Sequence, residues 1–329
     1  MLAPTMIAAA DPSVHSLHLG EFIPPVAAGV VYLALYMRRV RTLAREGRPV
    51  VRWRRRSFLA GVLLVAIVQV PPFDGLADEV LVVHMVQHLL IGDLASLLIV
   101  LGLSGPVLAP LLRLRATRPL RTLSHPMTAL VLWAVDLYAW HLPILYELAI
   151  RHDLVHACEH ACLLWFGSLL WLALIGPLPK PAWFRGWASI GYVVAVRFVG
   201  AVLANALIWT EVAFYPIYRF SDAARGINPV LDQNAAGAVM MVEEVVLTTV
   251  LLAWLFLRFV NREEQRQGLL DLAAGGGVEL SEERAARAAD ADAAPRLRER
   301  LLQAVGETSQ PDGRGHAERR HAERGYAGR

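Results

Sequence analysis

Lysine is almost missing from this chain of 329 residues. Lys180 is the only one, so arginine carries nearly all of the 32 basic charges. Cysteine is scarce too. The two present, Cys158 and Cys162, lie one helical turn apart in an apolar stretch. That spacing is poorly placed for a disulfide, so no disulfide framework is implied. The motifs of common catalytic sites are missing: there is no Walker loop, no GxSxG elbow and no HExxH element. Nothing positive points to catalysis, and the expectation is a protein that is not an enzyme. The net charge is only +3, and the arginines lie between apolar blocks. They read as topology signals, with no patch for nucleic acid. The N-terminal stretch "MLAPTMIAAADPSVHSLHLGEF" has neither a basic start nor a long apolar core, so no cleaved signal peptide is expected.

What the chain does have is hydrophobicity. It is 56% hydrophobic, with a mean hydropathy of +0.43. The excess collects in blocks of roughly 15 to 25 residues, the length that crosses a bilayer as a helix. In hydrocarbon every backbone N–H and C=O must find an internal partner, so the blocks should be helices. Seven are expected, near Phe22–Met37, Phe58–Val70, Val80–Leu103, Met127–Leu142, Leu154–Ile175, Ala188–Thr210 and Ala235–Val260. The second is short. Arg54, Arg55 and Arg56 can snorkel to lengthen it, and Pro71 and Pro72 end it.

The loops alternate in charge. Nine arginines lie between the first two blocks, from Arg38 to Arg56, whereas "PPFDGLADE" after the second has three acids and no base. The alternation continues down the chain. By the positive-inside rule the N-terminus is expected outside and the C-terminus in the cytoplasm. The fold class expected is thus an all-α polytopic membrane protein with seven spans. It divides into an external segment over 1–21, a transmembrane domain over 22–260 and a polar tail over 261–329. The tail is rich in Ala, Arg, Glu and Gly. A polar helix is expected over Ser281–Val305, with the rest largely disordered. The tail's repeated "HAER", at 316 and 321, is read as incidental.

The histidines sort to one side of that topology. "HMVQHLL" places His84 and His88 at the outer end of the third block. His141 ends the fourth at the same side, and "HDLVHACEH" brings His152, His156 and His160 into the fifth from outside. His15 and His18 lie on the external segment. Only His125 and the tail histidines fall inside. Residues i and i+4 share a helix face, so His84 with His88, and His156 with His160, can each aim two imidazoles at one point. Taken singly, each of these histidines reads equally well as hydrogen-bonded packing. Five of them on three helices at matched depth point to a shared metal or cofactor site. Glu159 lies roughly 60° from His156 on a helical wheel, as a ligand or an acceptor for a ring N–H. Cys158 and Cys162 project away from that face. Imidazole suits copper, zinc, iron and nickel, and a thioether from Met85 or Met240 would favour Cu(I), although methionine commonly just packs.

Other polar residues fall within the blocks. Arg197, midway along the sixth, needs a partner among Asp93, Asp136 and Glu243. Asp136, Glu243 and Glu244 lie nearer the outer side, where they could join the histidine site or bond its ligands. Asp232 and Gln233 open the seventh block. They can cap its free N–H groups or hold the mouth of the site.

In order along the chain stand "HMVQHLL", "LGLSGPVLAPLLR", "WHLPILYELAI", "HACEHACLLWFGSLLWLALIGP", "FYPIYRF" and "LDQNAAGAVMMVEE". Together these resemble the multi-span CtaG-type cytochrome c oxidase assembly factors, over about residues 20 to 260. The single-span copper chaperone that shares the name is a different protein. The combination is specific, whereas any one motif alone is weak. The resemblance implies a multi-pass protein of the bacterial plasma membrane that helps build a caa-type terminal oxidase, with metal supply to its copper centres. It maps the family's motif histidines onto His84, His88, His141, His156 and His160, and its acid-amide pair onto Asp232 and Gln233. One departure is "MMVEE", where the family pattern runs to an aromatic or Pro-containing continuation. The partners implied are terminal oxidase subunits and the lipid bilayer.

Three functions compete. The first is an assembly factor carrying copper at an outward-facing histidine cluster. The second is a redox protein holding b-type haem between histidines of different helices. Two rings on one helix face cannot grip opposite sides of a porphyrin, so only cross-helix pairs would serve. The third is a copper permease, for which the inner halves of the third to fifth blocks offer little beyond Asp93 and His125.

Overall fold

The computed structural model describes residues 19–114, 118–181, 183–184, 186–290 and 293–309. Among them there is no strand. The first helices are α1 (Leu19–Arg45), α2 (Arg52–Val68), the short α3 (Phe73–Ala77) and α4 (Leu81–Leu89). A π-helical turn over Leu90–Ala95 joins α4 to α5 (Ser96–Gly102). Then come α6 (Gly105–Arg113), α7 (Arg118–Leu123), α8 (Pro126–Trp140), α9 (Pro143–Arg151), α10 (Asp153–Leu174) and α11 (Trp187–Trp209). A 3-10 turn over Pro216–Tyr218 leads to α12 (Arg219–Arg225), α13 (Pro229–Gly275), α14 (Glu282–Asp290) and α15 (Ala294–Ser309).

Four of these stretches are long and apolar enough to cross a membrane: Leu81–Gly102, Asp153–Leu174, Trp187–Trp209 and Pro229–Gly275. They coincide with the third, fifth, sixth and seventh expected blocks. The fourth block is a bent pair, α8 and α9, that turns by 70° and counts as a fifth if read as one span. Its bend follows from "WHLP". Leu142 takes an extended conformation before Pro143, which opens α9 at its first turn. The first block is helical within α1, and the second is helical up to Val68, where the 17-residue α2 ends.

The arginines at the end of α1 and the start of α2 do more than mark topology. Arg54 donates to the carbonyls of Leu101 and Leu103, and Arg39 to that of Pro106, so they tie down backbone at and beyond the end of α5. Tyr36 stacks on Phe58 at 3.8 Å and donates to Gly102 O. Close approach between helices relies on small residues. A Cβ on Gly61 would sit 2.8 Å from Ala95 O. One on Gly167 of α10 would fall inside van der Waals contact of Gly92 O, in the π-helical turn. That turn leaves carbonyls free of their usual helical donors. Asp93 O accepts from the Trp171 indole at 3.1 Å and from the Ser96 hydroxyl at 3.0 Å.

The chain divides into two compact units, 1–249 and 250–329, and α13 contributes residues to both. The first unit's core around the site unites Leu81, Met85, Tyr146, Leu203, Leu207, Tyr215, Tyr218, Ala236 and Met240. In the second unit, composition led to an expected disordered tail around one polar helix. The structure instead has two helices, α14 and α15, whose Ala285, Ala294 and Leu301 pack with Leu269 and Ala273. The stripe is made of alanines and leucines spaced among charges, which overall composition hides. The repeated "HAER", His15 and His18 lie outside the described residues.

Candidate metal centre

The N-terminal parts of α4 and α10 bring four potential ligands together. One atom each of His84, His88, Glu159 and His160 lies within 4.8 Å of the others, and all four residues are buried. His84 and His88, one turn apart on α4, approach Nε2 to Nε2 at 2.8 Å. Glu159 Oε1 lies 3.6 Å from His88 Nε2. The expected pairing of i,i+4 imidazoles is therefore present on α4, and α10 adds His160 and its sequence neighbour Glu159. His156 stands beside them. Its ring centroid is 4.3 Å from that of His160 and 5.3 Å from that of His84.

Polar satisfaction separates this cluster from ordinary packing. Glu159 is fully buried, yet neither carboxylate oxygen accepts a hydrogen bond. His88 Nδ1 and His160 Nε2 likewise lack partners. A buried carboxylate without a donor costs several kcal/mol unless a cation or proton meets it. Three imidazoles and one carboxylate form a donor set that suits a borderline divalent ion. The residues present therefore fit a metal.

A tyrosine group closes over the cluster. Tyr146 of α9 lies 5.1 Å from the His84 ring and 4.1 Å from the Tyr215 ring, centroid to centroid. Its hydroxyl bonds that of Tyr218 at 2.9 Å. Tyr215 donates to His141 O and Tyr218 to Ala77 O. Sequence reasoning passed over these three tyrosines, although "WHLPILYELAI" and "FYPIYRF" contain them. No spacing rule relates residues so far apart.

The remaining expected residues separate. His141 caps α8, with its ring centroid 6.1 Å from that of His88, and is not one of the four. His152 is exposed at the start of α10, and His125 packs toward Trp183 at 5.9 Å. Asp136 is buried on α8 and accepts from the Trp140 indole. Glu243 belongs elsewhere: Arg197 contacts both Glu243 and Asp93 at 3.6 Å, which supplies its expected partners. Glu244 occupies the space left by the missing side chain of Gly200. Cys158 is exposed and Cys162 half-buried, both as free thiols.

Asp232 does cap a helix, but not its own. Its carboxylate accepts from Leu81 N at 2.7 Å and Val82 N at 3.1 Å, the first amides of α4. The start of α13 is served by Asn228, whose side chain accepts from Val230 N. Gln233 accepts from Phe214 N and donates to Val212 O, holding the connection after α11. In that connection Asp222 is fully buried, with both oxygens unpartnered. Burial, together with the Asp232 carboxylate, pushes its pKa up to about 6.

Helices able to span a membrane, with histidines and a carboxylate buried between two of them, define a helical membrane protein with a candidate metal centre. Residues 34–262 match the model of the cytochrome c oxidase caa3 assembly factor family, Caa3_CtaG, and the chain belongs to that family. Two curated relatives are uncharacterized proteins of Mycobacterium bovis and Mycobacterium tuberculosis. Each is 27% identical over 232 residues, or 65% of this chain. The match covers 35% of each relative, so the chain spans about a third of their length. No solved structure matches.

Proposed function

We propose that this chain is a seven-span protein of the bacterial plasma membrane, with its N-terminus outside, that carries copper for assembly of a terminal oxidase. His84, His88, His160 and Glu159 would hold the ion, with His156 as a neighbouring donor. The observation that carries this reading is Glu159, a fully buried carboxylate with no hydrogen-bond donor, set within ligand distance of three imidazoles. Family membership supplies the oxidase context. Copper would be cargo here. Few ligands at the outer helix ends suit an ion that must arrive and leave.

The haem alternative is less well served. The cavity beside the cluster is about 40 Å³, against several hundred for a bound organic cofactor. A permease is also disfavoured, because the inner halves of the third to fifth blocks offer few polar groups beyond Asp93 and His125, and Asp93 is engaged by Arg197 at 3.6 Å.

The test is metal content of detergent-purified protein loaded with Cu(II) and measured by mass spectrometry. A single copper per chain is expected in the wild type. It should be lost in His84→Ala/His88→Ala and weakened in Glu159→Gln, which keeps the side chain's shape but removes its anionic donor. Wild-type protein that stays folded but retains no copper would remove the carrier reading and leave a scaffold that assembles the oxidase by contact.

A further inference from the structure

His141 stands apart from the four-residue cluster, and its local chemistry is specific. Its Nδ1 lies 2.7 Å from Leu137 O, one turn back on α8. A carbonyl only accepts, so Nδ1 carries the hydrogen and Nε2 holds a free lone pair. That Nε2 is buried and has no partner, and the residue is 7% exposed.

His141 lines a cavity of about 40 Å³ together with His88, Met85, Met240 and Asp93. The volume accommodates a small ion or a water or two. Met85 comes from α4 and Met240 from α13, and they are 1% and 4% exposed. Buried methionine is ordinarily a gap filler. Packing, however, does not account for the buried, unpartnered Nε2 of His141, a residue that lines the same cavity as two methionines. A neutral imidazole with thioethers is a soft donor set, which selects Cu(I) over divalent ions.

We propose that His141, Met85 and Met240 form a second, softer station for a monovalent Cu(I)-class cation, next to the harder cluster of His84, His88, His160 and Glu159. His88 borders both. The station's donor set stands on its own, and only its role as a neighbouring stop for cargo rests on the carrier reading.

Full-length protein in detergent, in a Cys158→Ser/Cys162→Ser background that removes competing thiols, is loaded anaerobically with Cu(I). X-ray absorption at the copper edge reports sulfur neighbours, and chelator competition reports stoichiometry. A sulfur shell is expected. It should disappear in Met85→Leu/Met240→Leu, a swap that conserves volume, and the copper count should fall by one. His84→Gln/Glu159→Gln should keep the sulfur shell. No sulfur shell in the parent, or one unchanged by the methionine swap, overturns the station. Cu(II) loading of the same variants separates the two sites. If the methionine double variant still takes up Cu(II) at its histidines, only the soft station falls. If the sulfur-bound Cu(I) persists while Cu(II) binding fails, the carrier cluster falls and the station stands.

Discussion

Single side chains decide most of the chemistry. Asp222 gives a prediction independent of any metal. Its pKa is raised to about 6 by burial and by Asp232, against about 3.9 in an unfolded chain. Between those values the folded state holds a proton that the unfolded state has released. Stability from this group is therefore full below about pH 4 and is lost as pH rises through 6. Asp222→Asn removes that loss. The variant should be more stable than the wild type by roughly 1–3 kcal/mol at pH 7.5, with the gap closing near pH 4. Thermal unfolding in detergent at the two pH values checks it, and a gap independent of pH would sink the assignment. At this scale the sequence revealed much of the site. Spacing alone paired His84 with His88 and set Glu159 beside His156, whereas the structure groups Glu159 with His84, His88 and His160. It could not separate His141, because cap conformation and helix bend set that distance. Nor could it tell that Asp232 serves α4, since its two acceptor bonds cross about 150 residues.

At the scale of elements, the site depends on how closely α10 approaches the π-helical turn. Gly167 makes that contact possible, because any Cβ there would collide with Gly92 O, a backbone atom that cannot swing aside. Gly167→Ala should cost about 1–3 kcal/mol by overpacking. It should also displace Glu159 and His160, which sit two turns earlier on α10. A melting temperature and a Cu(II) titration of the same preparation test both effects, and wild-type values in both would show that the contact is slack. The helices themselves were legible from their apolar blocks. The π-helical turn was not, because Gly92 and Asp93 in "LIGDLA" are weak helix formers but do not by themselves specify a π-turn. The bend between α8 and α9 was present as Pro143, but its 70° angle is set by packing.

For the molecule as a whole, all four clustered residues belong to the unit that ends at residue 249, while α14 and α15 belong to the unit over 250–329. A chain stopped after Gly275 should therefore keep its full Cu(II) content, with the exposed Leu269 and Ala273 lowering solubility. Mass spectrometry of the truncated protein decides this, and loss of copper would show that the second unit supports the site. The overall helical, membrane-directed character was readable from hydropathy, because burial in lipid demands long apolar runs. The tail's two-helix packing was not, since a core of alanines and scattered leucines leaves average composition polar.

The clamp by Asp232 also has a bearing on synthesis. Chains fold from the N-terminus as they are made. Leu81 and Val82 emerge about 150 residues before the carboxylate that holds their amides. Through that interval α4 and α10 can meet, but the first turn carrying His84 lacks its anchor. The histidine cluster thus reaches its final form only once the last long helix has begun.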